Sequence, residues 1–223
     1  MTSSCCAGRP LVWRYSDGRL ARTLKTMDVV LAPFTRELLP AVQPWFEHPE
    51  VVRRLGGPQW PVRNLELAGT GLGETFRGRR VLRDHSWVAY DSSGAVVANI
   101  GGEVYDRWCR YSEGPDGAVI EAVEPGLSMG LAYVVDPRRW RQGIGTAALL
   151  AVMAAPEVAD VMLFAAGVEP DNVASVRCAA AAGMRPDHAE PDWEGFVYYL
   201  RRRQPFIGAR PSAAPVPPGP ARG

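Results

Sequence analysis

The sequence has little of what marks metal centres, membrane proteins and nucleic-acid-binding proteins. Four cysteines and three histidines occur in 223 residues, without the spacing of a zinc site or a disulfide framework. No apolar run approaches the roughly 20 residues that span a bilayer, and the first residues lack the pattern of a secretory signal. The formal net charge of +1 gives no general attraction to nucleic acid or anionic membranes. We therefore expect a cytoplasmic protein that needs no metal and binds neither nucleic acid nor membrane.

Composition divides the chain into one folded domain between two extensions. Residues 1–26 show no sustained hydrophobic period, and residues 204–223 are rich in Pro, Ala and Gly, which is typical of disorder. Residues 27–203 have a length that suits one domain. Hydrophobic periodicity within them predicts the order β-α-α-β-β-β-α-β-α-β. That order indicates an α/β protein with a mixed central sheet and helices on both faces.

The predicted elements follow from alternation, helical spacing and turn residues. A hairpin is expected at 85–105, a long acidic loop at 106–126, and a fourth strand at 127–137. A strongly helical run at 143–155 precedes a buried fifth strand at 158–168. A second helix at 171–184 ends at a glycine, and a last strand covers 194–203.

Two glycines and several cations lie where the predicted fourth strand meets the next helix. Residues 138–146 read RRWRQGIGT. The first amides of a helix have no intrahelical acceptor and lie at the positive end of its dipole, so a glycine-rich helix start forms an anion site. The segment lacks the Lys-Ser/Thr of a phosphate-binding Walker loop and the third glycine of a dinucleotide fold. A helix start with solvated arginines is the simpler alternative.

A second segment, VEPDNVASVRCAAAAGM at 168–184, follows the predicted fifth strand. Together, the two segments resemble the signature segments of the GNAT superfamily of N-acetyltransferases, in the right order and at the right separation. The resemblance covers about residues 27–203. It implies the GNAT fold, in which the fourth and fifth strands splay around an acyl-CoA, and it implies acetyl-CoA as the cofactor.

The resemblance also assigns cofactor contacts to particular residues. The first segment looks like the acetyl-CoA pyrophosphate loop, in which Trp140 stands where Arg or Gln is usual, a variant also seen in the ribosomal-protein N-acetyltransferase branch. Asn172 and Ser175 match polar residues that face the pantetheine arm and the thiol end. The backbone N–H of Val134 or Val135 is expected to bond the thioester carbonyl. The expected pyrophosphate contacts are Arg141, Gln142, Gly143, Ile144, Gly145 and Thr146.

Weaker similarity across the domain points to the aminoglycoside 6'-N-acetyltransferase branch. It lies in the Trp-containing segment at 39–57, the acidic stretch before the fourth strand and the Pro-Glu-Val turn that begins at Pro156. This implies a small-molecule primary amine as acceptor, aminoglycoside-like and cationic, and a monomer or homodimer. The alternatives are a protein or peptide N-terminal acetyltransferase and a catalytically weak acyl-CoA-binding regulator.

The residues that move protons are less evident. Relatives commonly carry a carboxylate in the fourth strand and a tyrosine in the later helix, whereas residues 128–133 contain no acid and Ala179 stands at the tyrosine position. Amine acetylation needs a proton acceptor for the amine and a donor for the leaving thiolate. The candidates are Tyr133, Glu103, Glu121 and Glu124.

An acidic segment precedes the fourth strand. Residues 103–126 contain six acidic residues against two arginines, Arg107 and Arg110. Beside an active cleft, such a segment would attract a polycationic acceptor. A solvated loop is an equally weighted alternative.

Overall fold

The computed structural model describes residues 27–115 and 117–203. The predicted extension at 1–26 and the predicted tail at 204–223 lie outside the described residues. The strands of the described part are β1 Val30–Pro33, β2 Thr75–Phe76, β3 Arg79–Tyr90, β4 Val96–Gly114, β5 Gly117–Gly130, β6 Ala132–Val135, β7 Leu163–Val168, β8 Arg185–Pro186 and β9 Val197–Arg202. Its α-helices are α1 Leu39–Val42, α2 Pro49–Leu55, α3 Gln59–Glu66, α4 Ile144–Ala154 and α5 Val173–Ala181. None of these helices is long and apolar enough to cross a membrane.

The strands form one mixed sheet in the order β1-β3-β4-β5-β7-β9-β8, with β6 paired to β4 and β2 to β3. Only the β5–β7 pair is parallel among the described pairs. Helix α4 packs its Ile144 and Leu149 against Ile100 on one face. The segment from α1 to α2 packs Phe46 against Val88 on the other face. The predicted α/β class, with a mixed sheet between helices, is confirmed.

The sheet opens in its middle. Strand β5 pairs with β7 only through Ser128–Gly130 and Leu163–Ala165, and the Leu131 amide then donates to the Ala165 carbonyl at 2.7 Å. Beyond Leu131, β6 stays on β4, whereas the remainder of β7 pairs with β9. The fourth and fifth predicted strands therefore diverge and leave a gap between β6 and β7.

The prediction of a long acidic loop at 106–126 is wrong. Strand β4 continues to Gly114 and β5 begins at Gly117, and these two glycines pair across the end of the hairpin. Buried Trp108 and Cys109 anchor β4 beyond its predicted end. The sequence Gly-Pro-Asp-Gly at 114–117 is a tight-turn sequence, and it outweighs the acidic composition that suggested a loop.

Candidate active site

The start of α4 presents unpaired amides. Gly143 caps the helix with a φ of 82°, and Arg141 also has a positive φ, of 63°. The first backbone hydrogen bond of the helix runs from the Ala147 amide to the Gly143 carbonyl at 3.0 Å. No carbonyl among the described residues accepts from the amides of residues 144–146. These amides and the helix dipole form a site for an anion.

The arginines before the helix have different roles. Arg138 binds the buried Asp136 at 2.8 Å, and Arg139 binds Asp91 at 2.8 Å. Burial alone would raise the pKa of Asp136, but the hydrogen bonds and charge of Arg138 hold that pKa below its ordinary value. Arg141 is exposed and has no hydrogen bond or ion pair with the described residues. Arg141 is therefore the arginine of this loop that can meet a bound anion.

Trp140 folds back onto β6. Its indole nitrogen donates to the Val135 carbonyl at 2.9 Å, and its ring meets the His48 ring edge-on at 4.6 Å. The residue as a whole stays 37% exposed. Trp140 therefore fixes the loop against the strand rather than pointing freely into solvent.

The pairing of β6 with β4 shows which of the two predicted amides, Val134 or Val135, is free to bind the thioester carbonyl. The Asp136 amide donates to Val97 in β4, and donors alternate along an antiparallel strand. The Val134 amide therefore faces Asn99 in β4, while the Val135 amide faces the gap. The expectation for Val134 is corrected on this ground, and Val135 remains.

Helix α5 brings two further predicted residues to the gap side of α4. Asn172 caps α5, and its Oδ1 accepts from the Ser175 amide at 3.1 Å. Both side chains are partly exposed. The Asn172 amide nitrogen makes no hydrogen bond to the described residues, and the Ser175 hydroxyl lies beside the Tyr133 phenol. Both groups can therefore bind a polar ligand.

Tyr133 lies on the α4–α5 face of the sheet. Its hydroxyl is buried and has no hydrogen-bond partner among the described residues. Burial raises the pKa of Tyr133, and the neighbouring Cys178 thiol adds to the effect. The phenol is therefore neutral at ordinary pH, so Tyr133 can donate a hydrogen bond but cannot serve as a base.

A cleft of about 350 Å³ opens beside the gap on the opposite face. It lies between α3, β4 and the diverging ends of β5 and β7, and Trp60, Asn64, Leu131, Ala132 and Gly167 are among its lining residues. Two glycines of β4 also line it. A Cβ on Gly102 would lie 1.6 Å from the Gly130 carbonyl oxygen, and one on Gly101 would lie 2.3 Å from the His85 oxygen. These positions need glycine because the backbones approach so closely.

Glu103 is the one carboxylate that lines this cleft within the described ranges. The hydroxyl of Tyr105 donates to it. Burial and this hydrogen bond raise the pKa of Tyr105, so the phenol remains a donor that orients the carboxylate. Of the four predicted proton carriers, Glu103 is the one placed in the cleft.

The other predicted acids lie on the outer hairpin. Glu121 binds Arg110 at 3.2 Å, and Glu124 binds Arg202 at 2.7 Å. Neither lines the cleft, although Glu124 lies opposite the cleft-lining Trp108 in the β4–β5 register. Their charges are paired on the surface, so they offer little attraction to a polycation.

Sequence reasoning missed Arg79, Trp108 and Tyr198, which line the same cleft as Glu103. They belong to β3, β4 and β9. Arg79 falls in a stretch that reads as a glycine-interrupted connector. Its alternation with Val81 is the signal that could have extended β3 to include it.

Fold and site together define an acyltransferase, with a gap between diverging strands, an anion site at a helix start and a cleft containing a carboxylate. Residues 28–185 match the family model described as an acetyltransferase (GNAT) domain. The chain belongs to this family. The predicted GNAT fold, the acetyltransferase class and acetyl-CoA as cosubstrate are thereby confirmed.

Individual relatives are distant. The uncharacterized N-acetyltransferase YfmK of Bacillus subtilis (strain 168) is 34% identical over 84 residues, which are 38% of this chain and 55% of that protein. The match thus spans about half the length of that curated relative. Aminoglycoside acetyltransferase AAC(6')-Ib, solved with paromomycin and acetyl-CoA, superposes with a TM-score of 0.58 at 19% identity, covering 84% of this chain and 99% of its own. An acetyltransferase from Agrobacterium tumefaciens superposes with a TM-score of 0.53 at 17% sequence identity, covering 88% of this chain and 100% of its own. These structures show a shared fold.

Proposed function

We propose that the chain transfers an acetyl group from acetyl-CoA directly to a primary amine of a small polar molecule. The observation that carries the proposal is the position of Glu103. Its carboxylate, oriented by Tyr105, lines a cleft that opens at the gap between β6 and β7. An ammonium group bound there would meet a proton acceptor beside the strands that diverge.

The residues present fit the cofactor. The free amides of residues 144–146 and the exposed Arg141 suit its pyrophosphate, and a Cβ on Gly143 would meet no atom within 4 Å, so the approach is open. When bound, acetyl-CoA supplies an acetyl thioester that is activated towards amines. The proposed cofactor contacts are Val135, Trp140, Arg141, Gln142, Gly143, Ile144, Gly145, Thr146, Asn172 and Ser175.

The chain's own groups divide the chemistry. Glu103 accepts the proton of the amine, and the Val135 amide donates a hydrogen bond towards the acyl oxygen. Tyr133 of β6 lies beside Ser175 of α5, and its neutral phenol donates a hydrogen bond to the departing sulfur. Solvent then protonates the thiolate, which balances the proton that Glu103 removes from the amine and releases. Glu103 and Tyr133 thus act from opposite faces of the sheet.

The test is a thiol-release assay with acetyl-CoA and a panel of primary amines. Glu103→Gln is expected to lower kcat by about 100-fold or more, the usual contribution of a general base. Glu121→Gln and Glu124→Gln are matched controls and are expected to keep wild-type rates. Equal losses in all three variants, or none in Glu103→Gln, would assign the base elsewhere.

The same assay can also distinguish the possible classes of acceptor amine. The aminoglycoside-like class depended partly on the acidic segment, whose Glu121 and Glu124 are ion-paired, so kanamycin enters as one arm. Peptide α-amines form a second arm because Trp140 occupies the position seen in the ribosomal-protein branch. Tight acetyl-CoA binding without turnover on either arm would favour a regulator, which the absence of an acid in residues 128–133 would explain.

A further inference from the structure

Arg79 is a buried cation without an anion. It begins β3, is 8% exposed and lines the cleft that contains Glu103. Its Nε is buried without a hydrogen-bond partner, and no described carboxylate lies within ion-pair distance of its guanidinium. A buried charge with no counter-charge is unfavourable.

Two nearby arginines have carboxylate partners, Arg77 in the turn between β2 and β3 and Arg83 in β3. Arg77 binds Glu194 at 2.6 Å, and Arg83 binds Asp160 at 2.7 Å. Arg79 stands between them in sequence, and its guanidinium lies against aromatic rings instead of a carboxylate. Arg80 also lacks an ion pair among the described residues, but it is exposed, whereas Arg79 is buried.

Aromatic rings hold the Arg79 guanidinium in place. Its central carbon lies 4.2 Å from the ring centre of Tyr105, 5.3 Å from that of Trp108 and 5.6 Å from that of Tyr111. Such contacts stabilise and orient a guanidinium without neutralising it. A fixed guanidinium in a cleft binds a carboxylate or phosphate through two parallel hydrogen bonds.

Tyr105 connects this cation to the proposed base. Its ring contacts Arg79, and its hydroxyl donates to Glu103. In the cleft, the carboxylate of Glu103 therefore lies on one side of Tyr105 and the guanidinium of Arg79 lies on the other. A polycation would be attracted by the charge of Glu103 and repelled by that of Arg79. An amine that also carries an anionic group complements both charges.

We propose that the acceptor carries an anionic group as well as its amine, and that Arg79 binds this anion while Glu103 receives the amine. The inference rests on the proposed acetyltransferase function. The anion is a carboxylate, phosphonate or phosphate, and the acceptor resembles an amino acid or an aminoalkylphosphonate in charge. Arg79 is then a residue that determines specificity, since it excludes amines without the anion.

The experiment compares acceptors that differ only in the anion. Free amino acids are paired with their amides, and 2-aminoethylphosphonate with ethanolamine, with kanamycin as a polycation. We expect kcat/KM to favour the anionic member of at least one pair by about 10- to 150-fold, the effect of a hydrogen bond to a charged group. The carboxylate and phosphonate pairs distinguish the two anion sources.

Arg79→Gln should raise KM for the preferred acceptor by a similar factor and reduce its advantage over the uncharged partner. Arg79→Lys should lie in between, because it keeps the charge and loses the paired geometry. Arg80→Gln, at the exposed neighbouring position, is the matched control and should change nothing. Binding of acetyl-CoA to each variant shows whether it has folded.

Each contrary outcome has a distinct meaning. If the wild-type enzyme acetylates amines without regard to the anion, or prefers kanamycin, the inference about Arg79 is wrong while the proposed function stands. An equal loss on both members of a pair in Arg79→Gln would assign Arg79 to packing and overturn the inference. If no amine on the panel is acetylated, the proposed function fails and the inference fails with it.

Discussion

Gly145, in the first turn of α4, lies close to three side chains that leave little room for a Cβ. A Cβ at this position would lie 3.0 Å from the Cys178 sulfur, 3.4 Å from Tyr133 Cε2 and 3.5 Å from Val135 Cγ2. Overpacking of this kind costs about 1–3 kcal/mol, and the better helix propensity of alanine returns at most ~1 kcal/mol. Gly145→Ala should therefore lower the free energy of unfolding, by up to about 2 kcal/mol when the full propensity gain is subtracted.

The tightest of these contacts can be removed from the other side. Cys178→Ala deletes the sulfur, so the double variant should be more stable than the sum of the two single changes by about 1 kcal/mol. Gly143→Ala is the control. It meets no atom within 4 Å but has a φ of 82°, so its cost of about 1–2 kcal/mol comes from backbone strain. That cost should not respond to Cys178→Ala.

Urea unfolding of the single and double variants measures these couplings. Because the Gly145 amide belongs to the proposed anion site, KM for acetyl-CoA should rise in Gly145→Ala and recover in the double variant. Additivity of Gly145→Ala and Cys178→Ala within about 0.5 kcal/mol would refute the packing argument. The same coupling at Gly143 would refute it too.

Two further predictions concern buried polar groups. Tyr133→Phe removes a hydroxyl that has no partner among the described residues, so we expect unchanged or slightly higher stability and a kcat lower by about 100-fold; an unchanged kcat would limit Tyr133 to packing. Burial lowers the pKa of His85, so below a pH of about 6.5 the unfolded chain binds a proton that the folded chain does not. Stability should therefore fall as the pH falls through this value, and His85→Gln should reduce the difference in unfolding free energy between pH 7.5 and pH 5.5. Equal differences in both proteins would contradict the assignment.

The anion site could be predicted from the sequence because its parts are consecutive residues. The turn at Gly143, the helix start and the arginines lie within ten residues, and local rules place them together. The choice between Val134 and Val135 could not be made this way. It depends on which amides face β4, and strand register is set by pairing with a segment about 35 residues away.

The cleft could not be predicted because its residues come from separate strands. Glu103 was one of three carboxylates with equal standing until the hairpin placed Glu121 and Glu124 outside the cleft. Arg79 and Trp108 meet because β3 pairs with β4 as far as Val81 and Tyr105, which brings the residues just beyond that pair together. Cross-strand contacts of this range leave no periodic signal in either segment.

The short parallel seam between β5 and β7 has a mechanical consequence. Among the described residues, the ladder between the group β1, β3, β4, β5 and β6 and the group β7, β9 and β8, each of which is called a leaf, is limited to Ser128–Gly130 and Leu163–Ala165. Each leaf keeps its own antiparallel ladders, so a small twist about the seam widens or narrows the gap without breaking them. The width of the gap therefore depends on the geometry of a seam three residues long.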